Sequence, residues 1–254
     1  MKAIRKIIIT ACFLLLSTAT AFADYPAFRG ETLRYDIIYH WGIVWKHAGS
    51  ATLSIHQTGN KYEAELTARS LSWVDKLFRV RDTLSCTIST RNGRLQPLRY
   101  RKASHEGKYN GIDIVEYSYS PKHSHAQCTR LRPGRAPQQA TLETEGQAYD
   151  MLSIFYYLRT LDFNRMKKNT TVSSTVFSGR KKERIDIRFI GVENIELRNK
   201  ETRKAYHVVF TFTQDGRKKS SDDMHTWISI DKTHTPLMLK GKLPIGEVRC
   251  YLNE

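Results

Sequence analysis

The sequence predicts a mainly β fold: one large, twisted antiparallel meander of about a dozen strands, forming an open or half barrel around one buried α-helix. Three observations carry this expectation. Apolar residues recur at every second position in run after run, the period of a strand with one buried face. Gly, Asn-Gly or Asp-Gly separates most runs, as hairpin turns require. Large apolar residues at helical 3,4 spacing are confined to residues 148–162, "AYDMLSIFYYLRTLD".

The elements follow in order. Leu33, Tyr35, Ile37, Tyr39 and Trp41 share one face of a first strand, with Arg34, Asp36 and His40 opposite. Gly42 and Gly49 bracket a turn region holding Val44, Trp45, Lys46 and His47, and the alternation predicts its aromatics to form a core-facing sheet corner. Ala51, Leu53 and Ile55 mark the next strand, the turn Thr58-Gly59-Asn60 ends it, and Tyr62, Ala64, Leu66 and Ala68 mark the third. Residues 71–78 read as one or two helical turns between strands. Leu84, Cys86 and Ile88 lead to the turn Asn92-Gly93, and the pattern returns near 98–106, 111–120 and 124–131. Pro133 to Gln147, rich in Pro, Gly, Gln and Thr, reads as a long crossing loop. In the helix, Asp150 is the expected N-cap, and Met151, Ile154, Phe155, Leu158 and Leu161 form the buried face. Runs at 185–189, 206–212, 227–230, 237–239 and 248–252 close the meander.

Residues 1–23 stand apart. Lys2, Arg5 and Lys6 precede the apolar run Ile7 to Leu16, and Ala21-Phe22-Ala23 is a small-x-small cleavage site. That is the pattern of a secretory signal peptide, so residues 24–254 are expected as a single exported domain, in the periplasm or on the periplasmic face of the envelope. Ile9-Thr10-Ala11-Cys12 has the look of a lipobox. The apolar run before it is too short, so an ordinary cleaved signal is favoured over lipidation of Cys12. Cleavage would lower the formal charge from +16 to +13, because the signal carries three basic residues and no acid. Such a balance points to anionic lipid headgroups or cell-wall polymers, or simply serves solubility. Nucleic acid is not an expected partner outside the cytoplasm, and the sequence sets no oligomeric state. Cys86, Cys128 and Cys250 are too few and too scattered for a disulfide framework. Cys86 and Cys250 read as small core residues, with a bridge between them left open.

The segments "GETLRYDIIYHWGIVWKHAGSATLSI", "RVRDTLSCTISTRNGRLQPLRYRK", "AYDMLSIFYYLRTLDF" and "TWISIDKTHTPLMLKGKLPIGEVRCYL" occur in this order across residues 29–252. They resemble the exported bacterial family catalogued as domain of unknown function 3108. The resemblance implies export and a fold, and it supplies no active site. That architecture is similar to the open half-barrels of periplasmic lipoprotein carriers, an analogy of fold alone.

No catalytic residue, cofactor or metal is expected. His123, His125 and Cys128 suggest a metal cluster, but on a strand the first two point one way and the third the other. No nucleophile sits in a strained-turn or Cys/His signature. Glu31, Asp36, Glu63, Glu65, Asp82, Asp113 and Glu116 read mostly as solvated partners of Lys and Arg. Arg180-Lys181-Lys182 and Arg217-Lys218-Lys219 follow Gly179 and Gly216 at hairpin tips that a meander places on one rim. There they either meet an anionic membrane surface or keep the tips soluble. The leading expectation is a non-enzymatic binding or carrier module that shelters a lipid-like or apolar ligand. Trp41, Trp45, Trp73, Met151 and Phe155 are its candidate ligand contacts. The alternatives are an envelope polysaccharide hydrolase and a structural partner of an outer-membrane assembly. Two close, partly buried carboxylates in a cleft would favour the enzyme. An apolar groove over the helix would favour the carrier, and a filled core the structural role.

Overall fold

The computed structural model describes residues 25, 28–91, 93–214, 218–219 (backbone), 222–243 and 245–253. The expected signal segment 1–23, with Cys12, lies outside the described residues, as does Arg217. The strands are Gly30–Trp41 (β1), Val44–Thr58 (β2), Lys61–Ser70 (β3), Arg81–Arg91 (β4), Arg94–Glu106 (β5), Tyr109–Tyr119 (β6), His123–Arg132 (β7) and Arg135–Glu145 (β8). They continue with Ala148–Tyr149 (β9), Thr171–Ser178 (β10), Lys181–Glu196 (β11), Thr202–Gln214 (β12), Lys218–Lys219 (β13), Met224–Ser229 (β14), Pro236–Lys242 (β15) and Glu247–Asn253 (β16). Two short helices interrupt them, Ser72–Phe78 (α1) and Ser153–Arg159 (α2).

All the strands belong to one sheet, in the order β8-β7-β6-β5-β4-β3-β2-β1-β16-β15-β14-β12-β11-β10-β9, with β13 attached to β12. Every pairing is antiparallel except β9 with β10. The sheet curls into a nearly closed barrel. Its two edges meet through side chains instead of a backbone ladder: Thr144 lies 3.2 Å from Thr175, and the Lys182 ammonium donates to the Glu143 carbonyl at 3.1 Å.

Two sequence expectations are corrected. The segment read as a crossing loop is β8, an edge strand; its alternation was hidden because residues 135–139 are all exposed, as an edge flanked by solvent permits. The helix is shorter than 148–162, because Ala148 and Tyr149 pair with Thr175 and Val176 before it begins.

A further change of phase comes at the first hairpin. The β1–β2 ladder shifts register between Ile37 and Ile38, where Gly49 faces Ile37 and His47 faces Ile38. The bulge leaves Ala48 of β2 without a partner on β1 and carries Trp45 to the face of His40, whose ring it stacks on, while Trp41 at the end of β1 is 59% exposed. The corner predicted to face the core therefore faces solvent.

Inside the barrel, α2 is wrapped by apolar side chains. Leu152, Ile154, Tyr156 and Leu158 are buried, Tyr156 packs edge-on against Phe28 at 5.2 Å, and Phe155 against Phe210 at 5.5 Å. The helix start depends on Asp150, which is fully buried. Its Oδ1 accepts the backbone N–H groups of Leu152 and Ser153 at 2.8 Å, and its Oδ2 accepts the Ser153 hydroxyl at 2.8 Å and the Cys86 thiol at 2.9 Å. The expected capping role is found, two residues earlier than a simple N-cap. Burial holds the Asp150 carboxyl above its ordinary range despite these donors, and burial with the nearby Asp150 pushes the Cys86 thiol up. The helix end depends on Arg159, whose guanidinium grips both Glu31 oxygens at 2.6 and 2.9 Å and donates to the Thr233 and His234 carbonyls. Cys86 and Cys250 are free thiols on strands separated by β1, β2 and β3, so no bridge joins them.

Candidate functional site

Hairpin topology sorts the connections onto two rims. The upper rim carries the tips 42–43, 107–108, 133–134 and 179–180 and residues 243 and 245–246, together with α1. Residues 59–60, 93, 120–122, 197–201 and 230–235 lie on the lower rim.

The upper rim is apolar where turns are ordinarily polar. Among the described residues, eight of the ten large hydrophobic side chains left exposed lie there: Trp41, Ile43, Val44, Trp45, Leu77, Phe78, Leu243 and Ile245. Ile43 is 97% exposed and Leu77 81%, so the fold covers little of either side chain. They form one arc, because residues 243 and 245–246 neighbour the 41–45 segment, and that segment neighbours 71–78. The Tyr39 hydroxyl donates to the Ile245 carbonyl at 3.0 Å, and the Trp73 indole N–H donates to the His47 carbonyl at 2.7 Å. Gly246 closes the second tip at φ +78°, where a Cβ would stand 2.3 Å from the His40 carbonyl oxygen. A rigid sheet thus holds the arc in place.

Cations interleave with it. The Arg249 guanidinium lies 4.4 Å from the Trp45 ring centroid, whose other neighbour is the stacked His40 ring at 3.7 Å, and the Lys46 ammonium lies 4.1 Å from the Trp73 ring. Lys76, Arg79, Lys108 and Lys242 are exposed beside the apolar tips. The 179–180 tip shares this rim, with Glu183 of β11 opposite Gln214 of β12. Lys181 and Lys182 are exposed and Arg180 half-buried, while Lys218 and Lys219 pair along Gln214 and Thr213.

The five candidate ligand contacts separate into two groups. Trp41, Trp45 and Trp73 belong to the upper rim, whereas Met151 and Phe155 are partly buried against the core beside α2. Sequence reasoning missed Ile43, Leu77, Phe78, Leu243 and Ile245. The available signal was the placing of bulky apolar residues inside turns, as in Gly42-Ile43-Val44 and Leu243-Pro244-Ile245-Gly246.

Two adjoining clefts lie on the lower rim, where the sheet fails to close. One, of about 610 Å³, is lined by Tyr25, Arg94, Gln147, Tyr149, Tyr157 and residues 173–175 of β10 among others; the second, of about 620 Å³, adjoins it through Arg94, Gly146 and Gln147. Neither brings two carboxylates together, since Glu145 is the one acid lining the first and no acid lines the second among the described residues. Asp82 and Glu106 do form a partly buried pair, with burial raising Asp82, but they sit beside Lys102 and line neither cleft. His123 and His125 both approach Glu143, at 3.8 and 3.5 Å, and Cys128 points into the core. No group of three or more His, Cys, Asp or Glu side chains is placed to hold a metal ion among the described residues. No described helix is long and apolar enough to cross a membrane.

Comparison with known proteins adds a family and a fold. The profile of the protein family of unknown function DUF3108 matches residues 34–253. Among solved structures, the chain is similar to a β-barrel-like protein of the domain of unknown function DUF1849 from Brucella abortus. The TM-score is 0.60 at 10% identity, covering 89% of this chain and 97% of that one. At that identity the likeness concerns the fold alone. No curated protein matches the chain.

Proposed function

We propose, from the premise that the chain belongs to the DUF3108 family of proteins of unknown function, that it is an exported, non-enzymatic binding module that docks on an anionic lipid surface through its upper rim. The observation that carries this reading is the single arc of exposed Trp, Ile, Leu and Phe side chains at the upper-rim tips, bordered by Lys and Arg. Bulky side chains on rigid tips enter the interfacial region of a bilayer, where Trp is favoured because its ring is apolar and its N–H polar. Each Lys or Arg near an anionic surface adds about 1 kcal/mol of attraction that salt screens. The lipid-like ligand thus meets the protein at its rim. The concave side over α2 is occupied by side chains of the core, which favours rim contact over an enclosed carrier cavity.

The filled core also supports a second reading, a structural partner whose rim meets an apolar protein surface. Vesicle binding separates the two. The purified protein is expected to co-sediment with vesicles of zwitterionic and anionic phospholipid, weakly with zwitterionic vesicles, and less as salt rises. The double variant Ile43→Asp/Ile245→Asp should weaken binding at least about tenfold, a loss of about 1.4 kcal/mol or more. Both sites are exposed turns, so the fold should be retained. Unchanged binding by that variant would end the lipid reading, and no binding by the wild type would favour the protein partner.

A further inference from the structure

The lower-rim clefts carry an inference independent of lipid docking. They exist because β8 stops at Glu145 and the chain turns through Gly146, at φ +75°, into the two-residue β9, leaving the seam open at this end. Each cleft is of a size that encloses a small organic ligand.

The floor is aromatic. Tyr149, 3% exposed, stacks on Tyr157 with ring centroids 4.7 Å apart at 24°. Burial raises both phenols, so they remain neutral hydrogen-bonding groups at physiological pH. Around them stand the neutral polar groups Thr160, Ser173, Ser174, Thr175 and Gln147, with the Glu145 carboxylate and Arg184, which is paired with Asp186 at 2.8 Å, also on the lining. The Gln147 amide is oriented by donating to the Ala148 carbonyl at 2.8 Å and accepting from Gln96 at 3.4 Å. Arg94 stands where the two clefts join and has no carboxylate partner among the described residues; Arg91 and Lys122 extend the positive side into the second cleft. An aromatic face with one open side, many neutral hydrogen-bonding groups and an unpaired guanidinium suit a ring with several hydroxyls and an anionic substituent. An apolar chain would leave the polar groups unpaired, which is costly. A nucleobase is better served by a two-sided aromatic sandwich.

We propose that these joined clefts bind an acidic saccharide. The sugar ring lies on Tyr157, its hydroxyls meet Gln147, Thr160 and the 173–175 segment, and its carboxylate or phosphate meets Arg94. Isothermal titration of the purified protein at about 150 mM salt tests this, since that ionic strength suppresses diffuse attraction to a basic protein. The probes are tetragalacturonate, glucose 1-phosphate, neutral maltotetraose and uridine monophosphate. We expect at least one of the two acidic saccharides to bind, and which of them binds tells carboxylate from phosphate. Maltotetraose should bind at least about tenfold more weakly, and Arg94→Ala should weaken the acidic saccharide by a similar factor. Lys200→Ala, which removes the same charge from an 82% exposed lower-rim turn, should change little. Tyr157→Phe keeps the stacking and is expected to bind nearly as well, which separates loss of the site from loss of the fold. Failure of both acidic saccharides to bind would overturn the proposal. So would equal affinity for maltotetraose, equal losses in Arg94→Ala and Lys200→Ala, or tighter binding of uridine monophosphate.

Discussion

Arg159→Ala is expected to destabilise the protein by about 3–5 kcal/mol, the range for breaking a buried ion pair by removing one partner. The Arg159 side chain is 1% exposed, and it joins three parts of the chain: the end of α2, Glu31 on β1 and the carbonyls of Thr233 and His234 in the β14–β15 turn. Truncation leaves the Glu31 carboxylate, itself 15% exposed, without its partner and two carbonyls without donors. Against a typical total of about 5–15 kcal/mol, this is a large fraction. Arg159→Lys keeps the charge but loses the planar fork, so an intermediate loss is expected. Urea denaturation of the three proteins checks the order, and a loss below about 1 kcal/mol in Arg159→Ala would mean that the pair behaves as a solvated one.

Asp150→Ala should cost a similar amount, for a different reason. One carboxylate satisfies two backbone N–H groups, the Ser153 hydroxyl and the Cys86 thiol, all buried. Each buried donor left without a partner costs about 1–3 kcal/mol, partly relieved where the chain relaxes, so about 3–5 kcal/mol overall is expected. A pH dependence accompanies it. The native carboxyl is held above its ordinary range by burial, so the folded state binds this proton more tightly than the unfolded chain, whose Asp titrates near about 3.9. Stability from this group is fully present below that pH and is lost as pH rises through the native value. Asp150→Asn, which keeps an acceptor for the Leu152 and Ser153 N–H groups, should remove that decline. Parallel stability curves for wild type and Asp150→Asn between about pH 4 and 8 would contradict it.

Both residues show where the sequence was readable and where it was not. Asp150 could be found, because a capping side chain acts on the few residues that follow it and sits just before a helical pattern. Arg159 could not, since its partner is 128 positions away and Glu31 reads as one more charge on a polar strand face. Alternation revealed most strands because one face of each is buried. It failed at β8, whose edge position leaves most of its residues in solvent, and at the first hairpin, where the register shift opposite Ile37/Ile38 puts Trp45 on the face opposite to Ala51 and Leu53. Of the two basic runs, Arg180-Lys181-Lys182 lies at the tip between β10 and β11, whereas Arg217 of the second lies outside the described residues. The apolar arc was only partly visible. Trp45 drew attention as an aromatic in a turn, whereas Leu77, Phe78 and Ile245 join it only once β1, β16 and α1 are set side by side. The lower clefts were not legible at all, since Arg94, Gln147 and Tyr157 come from three elements that meet only at the seam.

The central claim is that the upper rim inserts its aromatic tips into an anionic lipid surface. Quenching of tryptophan fluorescence by brominated phospholipids in anionic vesicles tests it most directly, because Trp41 and Trp45 lie on the arc while Trp227 is 8% exposed in the folded protein. The expected result is strong quenching with a blue-shifted emission, reduced in Trp41→Phe and Trp45→Phe in proportion to the tryptophan removed. Vesicle binding without quenching, or quenching unchanged in the double variant Trp41→Phe/Trp45→Phe, would contradict it.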